Sequence, residues 1–421
     1  MSEPPPRPSQ DPPPPPPVPA AEPPPAPGGE GWTTPIYPAA PAVRRRRRRW
    51  PAVLAALVVL LVVLVVVASR INLDYYALSP GQAQPVGPLV KVPPARAHPL
   101  DGRILLTDVY VTPVTLLDYL PDRLDGDTQL VGSATLLGPD TPADQLTTQG
   151  YLEMAQSQAA AKAASLIRLG YRVPDHDAGA LVFAVQPGSP SGPVLKVGQI
   201  VKAVDGTPTA DDCAFIAALH PYGPGQAVRL SVEKSTVTAN GVFRPGPTVA
   251  ERVRLGRRPP GEQGSSGCPA VKGPSRGYLG VVVETQQEFS YPFPVAVDTS
   301  EIGGPSAGLA MTLGIVDKLS SGSLTGGRTV AATGTITPTG AVGDVGGVAQ
   351  KTVAVERAGA TVFLVPPQEL AAARSKDVPS LHIYPVSSLD QALAVLKKLG
   401  GRVPPAPARP GETPHSGGSR P

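Results

Sequence analysis

The sequence predicts an α+β protein of several domains, carried behind a disordered arm and one membrane-spanning helix. Three observations predict it. A proline-rich arm runs into six consecutive arginines and then an unbroken apolar stretch. Short apolar runs that read as strands alternate with segments of helical periodicity through the rest of the chain. Finally, a serine framed by glycines lies forty-five positions ahead of a lysine that shares the apolar side of a helix.

Residues 1–43 form the arm. Eighteen prolines fall within residues 1–41, leaving almost nothing to bury, so a polyproline-like spacer is expected. Residues 44–70 hold Arg44 to Arg49, Trp50-Pro51 and the seventeen uncharged apolar residues Ala52 to Ala68. That length just spans a bilayer, and Trp50 suits its interface. Positive charge ahead of the span holds the N-terminus in the cytoplasm and places everything after Arg70 outside, at the cell membrane. A cleaved signal peptide is the rival reading, since Val66-Val67-Ala68 resembles a cleavage site. The long arm favours an uncleaved anchor. The formal charge of +4 is more than supplied by the six arginines, so the basic balance does not imply a nucleic-acid partner.

Residues 71–171 begin with an extended, proline-containing lead-in to residue 100. A strand is predicted over Gly102 to Val111, a short helix near Val114 to Tyr119, and an alanine-rich helix over Leu146 to Leu169. Cys213 and Cys268 follow the span and could pair outside the cytoplasm; the sequence leaves this open. The five histidines show no HExxH pattern and the cysteines no cluster, so neither a metal nor any other cofactor is expected.

Residues 278–400 carry the chemistry. Pro292 to Val297 reads as a short buried strand, and a polar loop leads to Gly303-Gly304-Pro305-Ser306-Ala307-Gly308. Pro305 suits a first helical turn, and Leu309, Leu313, Val316 and Leu319 continue at helical spacing to Gly322. Ser306 is thus expected at a helix N-terminus, where free N–H groups could face an oxyanion. On a wheel from Val348 to Ala358, Lys351 shares an arc with Val348, Thr352 and Val355, while Gln350 and Arg357 lie opposite. A lysine on the inner side loses affinity for its proton and can serve as a general base. A helix-capping serine and a snorkelling lysine are the plain alternatives.

These residues carry a resemblance. GGPSAGLAMTLGIVDKL, ATGTITPTGAVGDVGG and VAQKTVAVERAGATVFLVP, in that order, resemble the proteolytic domain of the Lon-type serine–lysine proteases. The resemblance implies Ser306 as nucleophile, Lys351 as base, Thr333 as the residue holding the lysine, Gly303 and Gly304 as the supporting loop, and ring-like homo-oligomers. Thr335 and Gly303 stand where the family often has acidic residues. Met154-Ala155-Gln156-Ser157 resembles a segment from the first half of that domain, which implies a fold split by an insertion.

The insertion, residues 172–256, resembles a PDZ domain. Gly179-Ala180-Leu181-Val182 takes the place of its carboxylate-binding loop, followed by Pro187-Gly188-Ser189-Pro190, Val204-Asp205-Gly206, a helix over Ala210 to His220 and a strand at Val228 to Val232. By that resemblance it takes an extended peptide as an added strand. Residues 257–277 read as a linker and 401–421 as a polar tail.

The expectation is an ATP-independent, membrane-anchored serine endopeptidase acting on extracytoplasmic peptides or unfolded segments, selected partly by the PDZ-like domain. No GxxxxGK[ST] phosphate loop occurs in the sequence. Two alternatives stand beside it. One is an inactive, tethered PDZ scaffold that binds peptide termini. The other is an α/β-hydrolase-like esterase, because Gly304 to Gly308 satisfies GxSxG; that enzyme would need His382.

Overall fold

The computed structural model describes residues 50–137, 143–260, 267–269, 277–299, 302–376 and 379–406. The expected arm, the arginine run, most of the 257–277 linker and the tail after residue 406 lie outside the described residues. The chain separates into two units, Met1–Val58 and Val59–Pro421, the division falling within helix α1, Trp50–Ala68. Helix α1 buries none of its side chains and is long and apolar enough to cross a membrane.

Two sheets organise the second unit. The first takes strands from both ends of the sequence: β1 (Asn72–Pro85), β2 (Arg103–Thr115) and β3 (Gln129–Gly132) come before the predicted insertion. The second sheet contains β4 (Asp175–Val185), β5 (Ile200–Val204), β6 (Ala227–Glu233), β7 (Thr248–Arg254) and β8 (Val281–Phe289), with a two-residue strand, Thr207–Pro208, on β5. The chain then returns to the first sheet with β9 (Thr329–Ala332), β10 (Val362–Val365) and β11 (His382–Pro385). The first sheet runs β11-β10-β9-β2-β1-β3 and the second β7-β6-β5-β4-β8. Strands β2, β9, β10 and β11 are parallel, and β1 is antiparallel to both its neighbours.

Alternation along the strands builds a three-layer first domain. Leu106, Ala332 and Leu364 point into one core with α3 (Ala143–Arg168) and α5 (Gly308–Leu319). Leu105, Ala331 and Phe363 point the other way, against α6 (Val348–Arg357). Helix α7 (Leu389–Lys398) closes the first core through Leu389, Leu393 and Leu396. The second sheet has its own core around Val182, Val201, Leu230 and Val253. Phe215 from α4 (Asp212–Leu219) joins it.

The structure refines one expected element and corrects three. The extended lead-in contains β1, which lies inside the first sheet. Its Pro80 and the Pro113 of β2 fall beyond the reach of β3 and β9, where each strand has a neighbour on one side only and a missing N–H costs little. Val114 is a buried strand residue, and the short helix comes later as α2, Tyr119–Leu124. Of Pro292 to Val297 only Ala296–Val297 is a strand, paired with Val90–Lys91. Strand β8, expected within the proteolytic segment, instead pairs with β4 and completes the second sheet.

Cys213 of α4 is joined to Cys268 by a disulfide across 55 positions of sequence. It ties Cys268, in the sequence after β7, to the helix of the second sheet. Closing a loop of that length stabilises the fold by restricting the unfolded chain, and removing such a bond typically costs about 2–5 kcal/mol. The double variant Cys213→Ser/Cys268→Ser should therefore unfold at a clearly lower urea midpoint than the oxidised protein. An unchanged midpoint would show that the bond contributes no stability.

Candidate functional site

Ser306 and Lys351 come from opposite layers. Ser306 precedes α5 on one face of the first sheet, while Lys351 lies in α6 on the other. They approach each other around the C-terminal end of β9, where Thr333 follows Ala332. The Thr333 hydroxyl donates to the Ser306 carbonyl oxygen at 3.3 Å, and the Gly334 N–H donates to the same oxygen at 2.9 Å. The Lys351 amine donates to Thr333 Oγ1 at 3.4 Å. One threonine hydroxyl therefore stands between the serine backbone and the lysine.

Helix α5 begins at Gly308, three residues after Pro305, which suits a first helical position. Ser306 consequently lies in the turn before the helix, half-buried. Its side chain accepts and donates no hydrogen bond among the described residues, and the N–H groups of Ser306 and Ala307 find no acceptor there either. A hydroxyl flanked by two unspent donors is the arrangement that a nucleophile and an oxyanion site need.

The loop in front of Ser306 is held by α3. Gly304 has φ +86°, a conformation that favours glycine, and its N–H donates to the Gly150 carbonyl at 2.7 Å. At Gly303 a Cβ would lie 3.2 Å from the carbonyl carbon of Gly150, closer than packing ordinarily allows. The Ser157 hydroxyl donates to the Pro305 carbonyl at 3.0 Å. Gly150 and Ser157 are supporting residues whose roles the helix pattern alone does not reveal; the resemblance around Ser157 was the available signal.

Lys351 is only 2% exposed, and Thr333 is fully buried. Burial pushes the amine down from its usual 10.5 to about 8, although Asp108 and Glu369 pull it the other way. Asp108 itself is held above the usual carboxylate range, mainly by burial, while its Oδ1 accepts from the Gln82 N–H. The helical wheel errs at Gln350, which is buried, with an Oε1 that has no partner among the described residues. Helix α6 is covered on more than the sheet side, because the short helix Leu370–Arg374 packs on it as well.

The predicted peptide-binding residues lie elsewhere. Gly179 to Val182 belong to β4, not to a loop, and β4 is flanked on both sides. Ala180 is opposite Val201 and Thr285, and Leu181 opposite Ile200 and Glu284. Backbone groups already engaged in two ladders cannot receive a third strand. The edges of the second sheet are β7 and β8, and β8 is the one that faces α3. Between β8 and α3 lies a cleft of about 550 Å³ that reaches Ser157, Pro305 and Ile336 beside the serine and Thr285 and Phe289 on β8. Lys162 lines it, 4.9 Å from the Tyr291 ring centre, with its amine pushed down by burial.

His382, which an esterase would need, is exposed at the start of β11, level with Val362 and Val330. That is the opposite end of the parallel strands from Thr333. Among the described residues, the strand just ahead of the serine turn is the two-residue Ala296–Val297, and no long strand runs into Ser306.

Residues 298–398 match the family model of the Lon protease (S16) C-terminal proteolytic domain, a span that includes Ser306, Thr333 and Lys351. This segment is thus similar to a Lon-type proteolytic domain. The chain is 35% identical over 127 residues to a Lon protease of Rickettsia bellii, covering 28% of this chain and 16% of the relative. It is 34% identical over 94 residues to a Lon protease of Chloroflexus aggregans, covering 22% and 11%. The match thus spans a small part of those curated relatives. Among solved structures, the PDZ domain of an SdrC-like protein from Listeria monocytogenes aligns with 15% identity. It covers 25% of this chain and 87% of that one, with a TM-score of 0.19. A counterpart from Listeria innocua gives 16%, 25% and 92%, with a TM-score of 0.17.

Two outcomes follow from the buried amine. If Lys351 must be uncharged to act, peptide hydrolysis should rise with pH along a limb centred near pH 8, and Asp108→Asn should move that limb to lower pH. A pH–rate profile that is flat from 6 to 9 would contradict this. The unfolded lysine binds its proton up to 10.5 and the folded one only to about 8. Stability therefore rises with pH between those values and carries its full penalty below 8. Lys351→Met should remove that rise and stabilise the fold at neutral pH by about 3 kcal/mol, readable by urea unfolding.

Proposed function

We propose that this protein is a membrane-anchored serine endopeptidase that works without ATP through a Ser306–Lys351 dyad. The observation that carries the reading is the buried Lys351 amine, hydrogen-bonded to the Thr333 hydroxyl that in turn binds the Ser306 carbonyl. The proteolytic unit is split in the sequence, its first part supplying β1 to β3 and α3 and its second the dyad.

In this mechanism a substrate peptide lies in the cleft between α3 and β8. The neutral Lys351 amine takes the proton as Ser306 Oγ attacks the scissile carbonyl, and the oxyanion is received by the N–H groups of Ser306 and Ala307. The lysine then gives the proton to the departing amine, leaving an acyl-enzyme. Water activated by the same amine completes hydrolysis. Thr333 is a positioning residue that keeps the amine and the serine turn in register.

The second sheet selects substrates as a PDZ-like domain, with the free edge of β8 as the peptide-receiving strand. An extended segment on that edge leads along the cleft towards Ser306. The sheet edge offers only backbone groups, so loose or unfolded segments qualify and folded domains do not. Helix α1 anchors the chain with its N-terminus in the cytoplasm. The Cys213–Cys268 disulfide favours an oxidising compartment for the rest.

The test is an active-site series in the full chain. Ser306→Ala and Lys351→Ala should each lower hydrolysis of an unfolded reporter by about 10³-fold or more. Thr333→Val should cost about 10²-fold, with Thr333→Ser recovering most of the loss. Ser306→Ala should still retain bound peptide. Cleavage that survives both alanine variants at the wild-type rate would overturn the dyad, and a wild type that binds the reporter without cleaving it would leave a tethered peptide-binding scaffold as the better description.

A further inference from the structure

We infer that a second surface, formed by Ile71, Tyr75 and the 116–124 segment, rests in the interfacial zone of the bilayer that anchors the chain. This rests on the reading of α1 as a membrane span. Helix α1 ends at Ala68, and the chain makes one further turn, with Ser69 N–H donating to the Val65 carbonyl and Arg70 N–H to that of Val67. Ile71 is the third residue beyond the helix, so it lies no more than about 10 Å from the end of the span, however the domain is oriented. The polar zone of each leaflet is about 5–7 Å deep, so Ile71 cannot be far from lipid.

Ile71 does not come alone. Its carbonyl accepts from the Leu116 N–H at 2.9 Å, which fixes the β2–α2 connection beside it. The rings of Tyr75 and Tyr119 pack 5.8 Å apart. Ile71, Tyr75, Leu116, Leu117, Leu120 and Leu124 are between 41% and 76% exposed, a concentration of large apolar side chains on a face that nothing in the chain covers among the described residues. Tyrosines beside leucines are the composition that settles at the headgroup boundary, where rings are half wet and half apolar. Arg70 and Arg123 are offset by Asp74, Asp118 and Asp122, so the face has no bias towards anionic lipid. It suits the interface of a zwitterionic membrane as well. Seated there, the face would fix the height and tilt of the domain and hold the cleft at a set distance from the membrane.

The full chain would be placed in nanodiscs of phosphatidylcholine carrying shallow brominated acyl chains, one copy per disc. With Trp32→Phe alone, emission comes from Trp50 and reports insertion of the span. With Trp32→Phe/Trp50→Phe plus Leu120→Trp or Leu124→Trp, emission reports the proposed face; with Val282→Trp on β8 it reports a control surface. Both leucine positions are exposed, so an added ring displaces no core. Brominated lipid should quench Trp50 and both face positions and spare position 282. Quenching of Trp50 with face positions as bright as position 282 would overturn the inference and leave the anchor intact. Equal quenching at 282 would also overturn it, because the domain would then have no preferred face. An unquenched Trp50 would remove the span and the inference together. Shielding of the face positions only in discs holding two copies would assign the face to self-association instead.

Discussion

The structure depends on keeping one amine dry. Lys351 could reach water only if α6 turned, and α6 is held between the first sheet and the short helix at Leu370–Arg374. Burial of a charged lysine is costly, so the fold stabilises the neutral form, which is the form that can remove a proton. Burial of this amine costs stability at neutral pH, which is the cost the proposed base would carry. Asp108 and Glu369 temper the cost, keeping the amine near 8 rather than lower.

The meeting of serine and lysine follows from sheet topology. Helices on opposite faces of a sheet can converge only past the end of a strand, and here that strand is β9 in the parallel part of the sheet. The C-terminal ends of parallel strands are where such crevices form. Thr333, one residue beyond β9, is the natural link because its backbone continues the sheet while its hydroxyl reaches both layers. The parallel order β2-β9-β10-β11 thus explains why residues far apart in sequence make one site.

The second sheet and α3 complete the picture. Helix α3 touches the serine loop through Gly150 and Ser157 and forms one wall of the cleft whose other wall is β8. A strand that could receive a peptide and a serine turn therefore share one opening. The inserted sheet is better understood as a wall of the site than as a separate appendage.

The sequence by itself determined the apolar span, the inward lysine, the glycine-framed serine and the helices that carry them, because each is a local pattern of period or spacing. It misplaced what depends on neighbours. Residues 71–100 looked like an extended lead-in, and only pairing with β2 and β3 makes Asn72–Pro85 a sheet strand, with Pro80 tolerated where its neighbour lies on one side. Gly179 to Val182 looked like a receptor loop until ladders on both sides took up its backbone. Gln350 looked exposed from the helical wheel yet is buried, and the cysteines could not be paired until α4 and Cys268 came together. Gly150 and Ser157 could not be assigned from composition, since their role lies in what they touch. Local periodicity is written in one segment of chain, whereas an edge, a cleft or a shared hydroxyl exists only where distant segments meet.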